Sequence, residues 1–296
     1  MTSPPPLCLP SRTDTRKPKH PIPVGSIDCH CHVFEDQAKY PLTSNRSYTP
    51  TLEPLEKYQQ MCEIVGIERT VQMNSAVYGF DNSVTLALIA KLGQKKARGI
   101  CGIDVSITNH ELDRLNRGGM RGVRLSTKVK GYGGIDLVGA IAKKIQPLGW
   151  HIDLHIGRNA ELAEFESKLM ELPVPIVVDH MAGVKGSDDV DIPGFKALLR
   201  MLQQRDDCWV KISSYYRASL SGPPAYSDMK AFAQALVETR ADRIVWGSNW
   251  PHPNRYAETD VPNDGDLLDI FWDWVPDAKT LHKILVDNPE VLYGFR

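Results

Sequence analysis

Two histidines separated by one residue, His30 and His32, are the first candidates for chemistry in this sequence. They lie in an apolar run typical of a β-strand, and side chains along a strand alternate between its two faces. His30 and His32 should therefore share one face, with Cys29, Cys31 and Val33 on the other. Two neighbouring imidazoles suit a metal ion or the polar end of a substrate, but they can also be hydrogen-bonded in a packed interior. The pair alone leaves both interpretations open.

The composition is that of an ordinary globular protein. The chain has 296 residues, of which 42% are hydrophobic and 24% charged, and its formal net charge is -1. This length suits one large α/β domain or two smaller domains. The small net charge gives no reason to expect nucleic acid or a membrane as partner. No apolar run approaches the roughly 18–20 residues that a membrane helix needs.

The amino-terminal stretch, residues 1–24, is rich in proline and lysine and lacks the apolar centre of a signal peptide. We expect an extended arm that either wraps a neighbouring subunit of a homo-oligomer or stays disordered, followed by one domain over residues 25–296. The six cysteines include no C-x-x-C pair, which argues against a zinc ribbon. Free thiols in a reducing, cytoplasmic compartment are the expectation.

Strand-like and helix-like stretches alternate from the first strand onward. The predicted strands cover residues 26–34, 69–74, 98–105, 120–125, 150–156, 174–180, 208–213 and 243–249. The predicted helices cover residues 52–65, 83–92, 110–116, 137–145, 160–170, 195–203, 228–238, 267–274 and 278–285. Eight βα units in about 250 residues are typical of a single-domain (β/α)8 TIM barrel, an α/β fold. A doubly wound open sheet would more often carry a glycine-rich loop after the first strand, and none is present.

Polar residues gather at the carboxyl ends of the predicted strands, where a barrel builds its active site. Five of the nine histidines fall there: His30, His32, His155, His180 and His252. The other polar residues at these ends are Asn74, Ser75, Asp104, Arg124, Ser126, Lys128, Lys130, Ser213, Arg217 and Asn249. Scattered core or surface histidines would not converge at one rim, so we expect one active site here.

Four of these histidines, His30, His32, His155 and His180, form a nitrogen donor set that suits Zn²⁺. A zinc-bound water ionises near pH 7 and can attack an ester or lactone carbonyl. The alternative is that the histidines bind substrate directly without a metal, and the sequence leaves both open.

Arg124 and Arg217 are candidate clamps for a carboxylate or sulfonate, because the guanidinium fork matches such anions. Lys128 and Lys130 would add positive charge, although surface salt bridges are the alternative for these residues. Tyr48 either donates a hydrogen bond to a ligand oxygen or packs as a partly buried tyrosine.

Four motifs together resemble the amidohydrolase superfamily. They are Asp-x-His-x-His in strand one, Gly-Met-Arg-Gly-Val-Arg in strand four, Pro-Ile-Val-Val-Asp-His-Met in strand six and Val-Trp-Gly-Ser-Asn-Trp-Pro-His-Pro-Asn in strand eight. The most similar branch contains 2-pyrone-4,6-dicarboxylate lactonase, sulfomuconolactone hydrolase and galactarolactone isomerase. The resemblance implies a barrel enzyme acting on a small anionic lactone, often from aromatic or sugar-acid breakdown.

The resemblance also implies roles for individual residues. His30, His32 and His180 fall on active-site positions, and Arg124, Arg217 and Tyr48 on substrate-contacting positions; Ser75, Lys130 and His252 are further substrate-binding candidates at the rim. The pyrone lactonase resembles this chain but carries tyrosine at position 155. With histidine at this position, the chain resembles the metal-using amidohydrolases. The resemblance therefore favours Zn²⁺ on His30, His32 and His155, with Asn249 as a weak ligand.

Asn249 is the main departure from the family pattern, which has a catalytic aspartate here. An asparagine cannot accept the proton of a water molecule. The chain is then an engineered variant, or His180 or His252 acts as the base, or the enzyme is a lactone isomerase, which needs no activated water. A zinc decarboxylase and an inactive ligand-binding relative are further alternatives. A lactone hydrolase remains the leading prediction, because the intact histidines fit water activation.

Overall fold

A closed barrel of eight parallel strands organises the computed structural model, which describes residues 4–275 and 277–295. The strands are β1 (Ile27–Cys31), β2 (Arg69–Met73), β3 (Ala97–Cys101), β4 (Met120–Ser126), β5 (His151–His155), β6 (Ile176–Val178), β7 (Cys208–Ser213) and β8 (Ile244–Gly247). They pair in chain order. The Asn249 N–H donates to the His30 carbonyl at 2.8 Å and joins the last strand to the first. The predicted (β/α)8 TIM barrel is confirmed.

Each strand is followed by a helix on the outside of the barrel. The helices are α1 (Leu55–Val65), α2 (Ser83–Leu92), α3 (Asn109–Arg117), α4 (Val138–Ile145), α5 (Ala160–Met170), α6 (Pro193–Gln204), α7 (Lys230–Arg240), α8 (Asp264–Trp274), α9 (Ala278–His282) and α10 (Asn288–Tyr293). A π-helical turn, Lys283–Asp287, connects the last two. In the described part of the chain, no helix has both the length and the apolarity to cross a membrane.

A proline sets the start of α1, which begins three residues later than the sequence predicts. Pro54 is the residue before the helix and has extended backbone angles. A residue that precedes a proline is sterically pushed out of the helical region, so Glu53 cannot belong to the helix. Gly66 ends α1 in the left-handed conformation, with φ of 87°. The helix then buries Tyr58 and Met61, among others, against the barrel wall.

The inside of the barrel holds its own small apolar cluster toward the amino ends of the strands. Its members are Ile27, Cys29, Val71, Met73, Ile100, Val177, Trp209, Val245 and Tyr293. The larger core lies between the outer strand faces and the helices. Because the lower half of the barrel is filled in this way, a ligand can enter only from the carboxyl ends of the strands.

The expectation that Cys29 faces away from His30 is wrong. Cys29 packs with Val71 and Met73 in the inner cluster, whereas the Cys31 thiol lies 3.0 Å from the outward-facing Thr70 hydroxyl. The β1–β2 register shifts between residues 28 and 31. This irregularity interrupts the strict alternation of a strand, so that neighbouring residues face the same side. His30 and His32 still share the inner face, as predicted.

The described part of the arm, residues 4–24, packs along the barrel of its own chain. The Cys8 N–H donates to the Thr49 carbonyl at 2.8 Å. The Ser11 hydroxyl donates to a buried carboxylate oxygen of Glu53 at 2.7 Å. The first three residues of the predicted arm, and positions 276 and 296 of the predicted domain, lie outside the described residues. The arm therefore ties down the loop that follows β1, at the rim where the site lies. All six cysteines are buried and free.

Candidate active site

The strand ends and the loops after them line a small cavity. The residues that line it are His32, Tyr48, Ala76, Arg124, Val129, Tyr132, His155, His180, Arg217, Asn249, Pro253 and Asn254. Seven of these were predicted from the sequence as site residues. The other four predicted residues, His30, Ser75, Lys130 and His252, do not line the cavity. Three of these four are buried behind the cavity wall, whereas Lys130 is exposed.

His30 and His32 contact each other beneath the cavity, with their Nε2 atoms 3.2 Å apart. The Nδ1 of His32 lies 3.0 Å from the Met73 carbonyl, so Nδ1 carries the proton and Nε2 is an acceptor. The Nε2 of His30 is then the donor within the pair. Its Nδ1 lies 3.3 Å from both Lys211 Nζ, a donor, and an Asp179 oxygen, an acceptor. The contacts therefore fix the tautomer of His32 and hold the ring of His30 in place.

A cluster of four charged side chains lies directly below these histidines. Lys211 Nζ lies 2.9 Å from an Asp153 oxygen and 2.8 Å from an Asp179 oxygen, and Arg124 pairs with the other Asp179 oxygen at 2.7 Å. We call Arg124, Asp153, Asp179 and Lys211 the central ion cluster. It contains two basic and two acidic side chains.

The pKa values follow from burial and from this pairing. Burial alone would raise the pKa of Asp179, but Lys211 and Arg124 hold it well below its ordinary value. Burial and the neighbouring Asp179 raise the pKa of Asp153. Burial would lower the pKa of Lys211, whereas Asp153 and Asp179 raise it. The cluster therefore keeps its positive lysine at neutral pH.

The histidines around the cavity are neutral at pH 7. Burial, together with the positive charge of Arg124, lowers the pKa of His32 to about 3. Burial is also the largest cause that depresses the pKa values of His30, His155 and His180. Neutral imidazoles can donate and accept hydrogen bonds, so they can polarise a carbonyl or take a proton.

His180 is held by one partner on each ring nitrogen. Its Nδ1 lies 2.7 Å from the Ser213 hydroxyl, and its Nε2 lies 3.4 Å from Arg124 Nη2. Because arginine can only donate, Nε2 is the unprotonated nitrogen. The backbone of His180 has a φ of 52°, which is uncommon outside glycine and costs energy. The ring of His155 packs edge-on against it, with centroids 5.1 Å apart.

Asn249 also lines the cavity and is backed by three further polar residues. Its Nδ2 donates to the Tyr216 hydroxyl at 2.8 Å, and that hydroxyl lies 2.9 Å from His252 Nδ1. The other ring nitrogen of His252 lies 3.2 Å from an Asp264 oxygen. Burial alone would lower the pKa of His252, but Tyr216 and Asp264 raise it to about 9. Burial would raise the pKa of Tyr216, whereas the charges of His252 and Arg217 lower it.

Arg217 is the cation of the cavity wall that has no carboxylate partner among the residues that the structure describes. Arg124 differs, because Asp179 neutralises it. On the same side of the cavity, the Tyr48 hydroxyl lies 2.8 Å from the Ser75 hydroxyl. Ser75 thus fixes Tyr48 rather than lining the cavity itself. A guanidinium that faces this cavity with no carboxylate partner in the described part of the chain suits an anionic ligand.

The predicted zinc ligands do not fit a zinc ion in this arrangement. The candidate metal cluster in the described ranges consists of His30, Asp179 and His180, and it leaves out His32 and His155. Asp179 already carries two cationic partners, Lys211 and Arg124. A divalent ion there would stand beside two positive groups, and the Nδ1 of His30, one of the three residues, is only 3.3 Å from Lys211 Nζ.

Sequence reasoning did not identify the central ion cluster apart from Arg124, or the Tyr216 and Asp264 behind Asn249. The alternation of side chains along a strand could have identified two of these residues, Asp153 and Lys211. Asp153 lies two residues before His155 in β5, and Lys211 lies two residues before Ser213 in β7, so each shares the inner face. The pairing of Asp264 with His252 has no such signal, because it depends on where α8 packs.

Comparison with known proteins agrees with this architecture. The family model described as Amidohydrolase matches residues 27–295. A 4-sulfomuconolactone hydrolase of Rhizobium radiobacter is 37% identical over 292 residues, which are 98% of this chain and 96% of that protein. A D-galactarolactone isomerase of Agrobacterium fabrum is 27% identical over 278 residues, 93% of each chain. A crystal structure of a putative 2-pyrone-4,6-dicarboxylic acid hydrolase from Pseudomonas putida is similar with a TM-score of 0.79 and 29% identity, and covers 93% of this chain and 99% of that one.

Proposed function

Because the chain belongs to the amidohydrolase family, we propose that it is a hydrolase that opens the ring of a small anionic lactone. The proposal rests on one observation: Arg217, which has no carboxylate partner within the described ranges, lines the same cavity as the neutral histidines. The relatives named above act, by their names, on lactones or on a pyrone with carboxylate or sulfonate groups. A substrate of this class would place its anion on Arg217 and its ring carbonyl near His32 and His180.

We propose that the reaction proceeds without zinc. The central ion cluster supplies fixed positive charge from Lys211 and Arg124 where a metal ion would otherwise act. Arg124 Nη2 lies next to His180, so it can stabilise the negative charge that develops on the carbonyl oxygen. Preorganised donors of this kind need no rearrangement during the reaction.

His180 is the candidate base. Its Nε2 carries no proton, it lines the cavity, and Ser213 orients its ring through Nδ1. The same burial that keeps His180 neutral lowers its pKa well below the ordinary value, which makes it a weak base. Weak proton abstraction from water agrees with a site in which Asn249 replaces the aspartate of the family pattern.

Asn249 also favours a second candidate, a lactone isomerase. Moving an acyl group between two hydroxyls of one molecule consumes no water, so it needs no strong base for water. The isomerase relative shows that a lactone isomerase occurs among proteins similar to this chain. Both candidates act on small anionic lactones. The hydrolase opens the ring, whereas the isomerase converts one lactone into another.

A panel of three lactones tests the proposal: 4-sulfomuconolactone, 2-pyrone-4,6-dicarboxylate and galactarolactone. Hydrolysis releases one proton per ring opened, which a pH-stat records, whereas isomerisation releases none and is followed by NMR. We expect proton release with at least one of the three. Release by the wild-type chain but not by Arg217→Gln would support the cavity as the site. The hydrolase proposal fails if no lactone of the panel is opened.

Elemental analysis and chelation test the metal part separately. Protein purified without chelator should contain less than stoichiometric zinc, and dialysis against a chelator should leave the activity unchanged. One zinc per chain, with loss of activity on chelation, would contradict a reaction without zinc.

A further inference from the structure

We propose that Tyr216, His252 and Asp264 form a positioning relay that holds the Asn249 amide in one orientation, with its Oδ1 facing the cavity. The relay is the chain of contacts from Asp264 through His252 and Tyr216 to Asn249, an ion pair followed by two hydrogen bonds. It rests on the proposed function of the cavity and assigns a task to residues that do not line it.

The three side chains of the relay and that of Asn249 are all buried. Asn249 and His252 are 1% exposed, Asp264 is 2% exposed and Tyr216 is 7% exposed. The contacts are 2.8 Å from Asn249 Nδ2 to the Tyr216 oxygen, 2.9 Å from that oxygen to His252 Nδ1, and 3.2 Å from His252 Nε2 to Asp264. Buried polar groups of this kind are expensive to leave unpaired, so each contact restricts the next.

The contacts along the relay set the direction of its hydrogen bonds. Asn249 turns its Nδ2 toward Tyr216, so the Tyr216 oxygen accepts from the amide. When Tyr216 gives its proton to His252 Nδ1, its oxygen accepts from both neighbours, which agrees with the raised pKa of His252 and the lowered pKa of Tyr216.

The backbone fixes Asn249 as firmly as its side chain. Its N–H donates to the His30 carbonyl, and its own carbonyl accepts from the His252 N–H, both at 2.8 Å. Its φ of 62° lies in the left-handed region, which asparagine tolerates better than most residues. With Nδ2 engaged behind, Oδ1 is the amide atom left for the cavity that Asn249 lines.

An outward Oδ1 gives Asn249 a defined part in the reaction. It can accept a hydrogen bond from the attacking water or hydroxyl and thereby aim an oxygen lone pair at the lactone carbonyl. A flipped amide would present Nδ2 to the cavity instead. Nδ2 is a donor, and its hydrogen bond would occupy the lone pair of the water or hydroxyl that is needed for the attack. The relay therefore sets the orientation of the nucleophile, which acts on kcat more than on substrate binding.

The kinetic test compares two neighbouring tyrosines. Tyr216→Phe removes the acceptor of the Asn249 amide, and Tyr215→Phe removes an equally buried hydroxyl, which donates to the Leu267 carbonyl at 2.6 Å. We expect Tyr216→Phe to lower kcat about 10- to 100-fold with KM within about twofold, and Tyr215→Phe to keep kcat within about twofold. An unchanged kcat in Tyr216→Phe, or the same fall in both variants, would overturn the relay.

A second measurement does not depend on turnover. Asparagine labelled with ¹⁵N reports the side-chain amide of Asn249, and the signal is assigned by its loss in Asn249→Ser. We expect its Nδ2 protons to exchange with solvent at least about tenfold faster in Tyr216→Phe than in the wild type or Tyr215→Phe. Equal exchange in all three would overturn the relay. If instead no lactone is opened, the proposed function fails, and the exchange rates still decide the orientation of Asn249.

Discussion

Asp179 and Lys211 form a 2.8 Å ion pair at the centre of the barrel, where neither side chain is exposed. Arg124 binds the second oxygen of Asp179, and Asp153 binds Lys211 from the other side. Each member of the cluster is paired with another member, so each depends on the others. Removing one partner of such a group leaves a charge without compensation in the interior.

Lys211→Met should lower the free energy of unfolding by about 3–5 kcal/mol, because Asp153 and Asp179 lose their shared cation. Urea denaturation followed by circular dichroism measures this loss. Lys91→Met is the matched control, since Lys91 pairs with Glu56 on the surface, where both side chains are more than half exposed. Surface pairs contribute about 0–1 kcal/mol. Equal losses in the two variants would show that the central ion cluster does not stabilise the fold.

Acid should destabilise the protein through its buried neutral histidines, and His151 isolates one such group. It lies at the start of β5, away from the cavity, and burial lowers its pKa from 6.5 to about 3. A depressed pKa means that the unfolded chain binds the proton first. The stabilisation is complete above pH 6.5 and is lost as the pH falls toward 3.

His151→Gln should therefore reduce the slope of unfolding free energy against pH by about 1.4 kcal/mol per pH unit within this window. Urea midpoints between pH 4 and pH 8 give the slope for both proteins. The two curves should run parallel above pH 7, which serves as the internal control. Parallel curves below pH 6 as well would refute the assignment of a buried, neutral His151.

The sequence predicts the barrel well because its signals are local. Apolar runs, helical spacing and glycine or proline breaks each lie within a few residues, and the strand ends then converge by topology alone. The position of Cys29 could not be predicted, since the interruption of alternation arises from the register between β1 and β2. Pairing across strands sets this register, and a single-strand pattern does not contain it.

The long-range pairings of the site are the part that the sequence does not contain. Lys211 and Asp153 are 58 positions apart, and their contact needs two buried side chains on different strands to lie at the same height. The sequence predicts His252 at the rim, whereas its ring contacts Tyr216 and Asp264 behind the cavity. Polar residues near the strand ends are enough to predict where the site lies. Which of them contact the ligand depends on the direction of each side chain.

Removing the charge of Arg217 should affect substrate binding, whereas removing the charge of Arg124 should affect stability. Arg217→Gln should raise KM for the anionic lactone about 30- to 150-fold with little loss of stability, since a charge-assisted hydrogen bond is worth about 2–3 kcal/mol. Arg124→Gln should instead destabilise the fold, because Asp179 loses a 2.7 Å partner. Initial rates and urea denaturation of both variants distinguish the roles. Lys130→Gln, at an exposed position, tests the remaining charge near the rim, and a KM effect as large as that of Arg217→Gln would contradict the assignment.

Asn249→Asp should raise the rate of lactone hydrolysis about 10²- to 10⁴-fold, the usual contribution of a general base. The new carboxylate would face the same cavity as His180 and could take the proton that Asn249 cannot. The pH-stat measures ring opening, and NMR of the same samples detects any isomerised lactone. Asn249→Ser is the control, because it also removes the amide but supplies no base, and it should show no gain. If Asn249→Asp hydrolyses no faster than the wild type while the wild type interconverts lactones, the site is that of an isomerase, and the asparagine is the residue that keeps water from being activated.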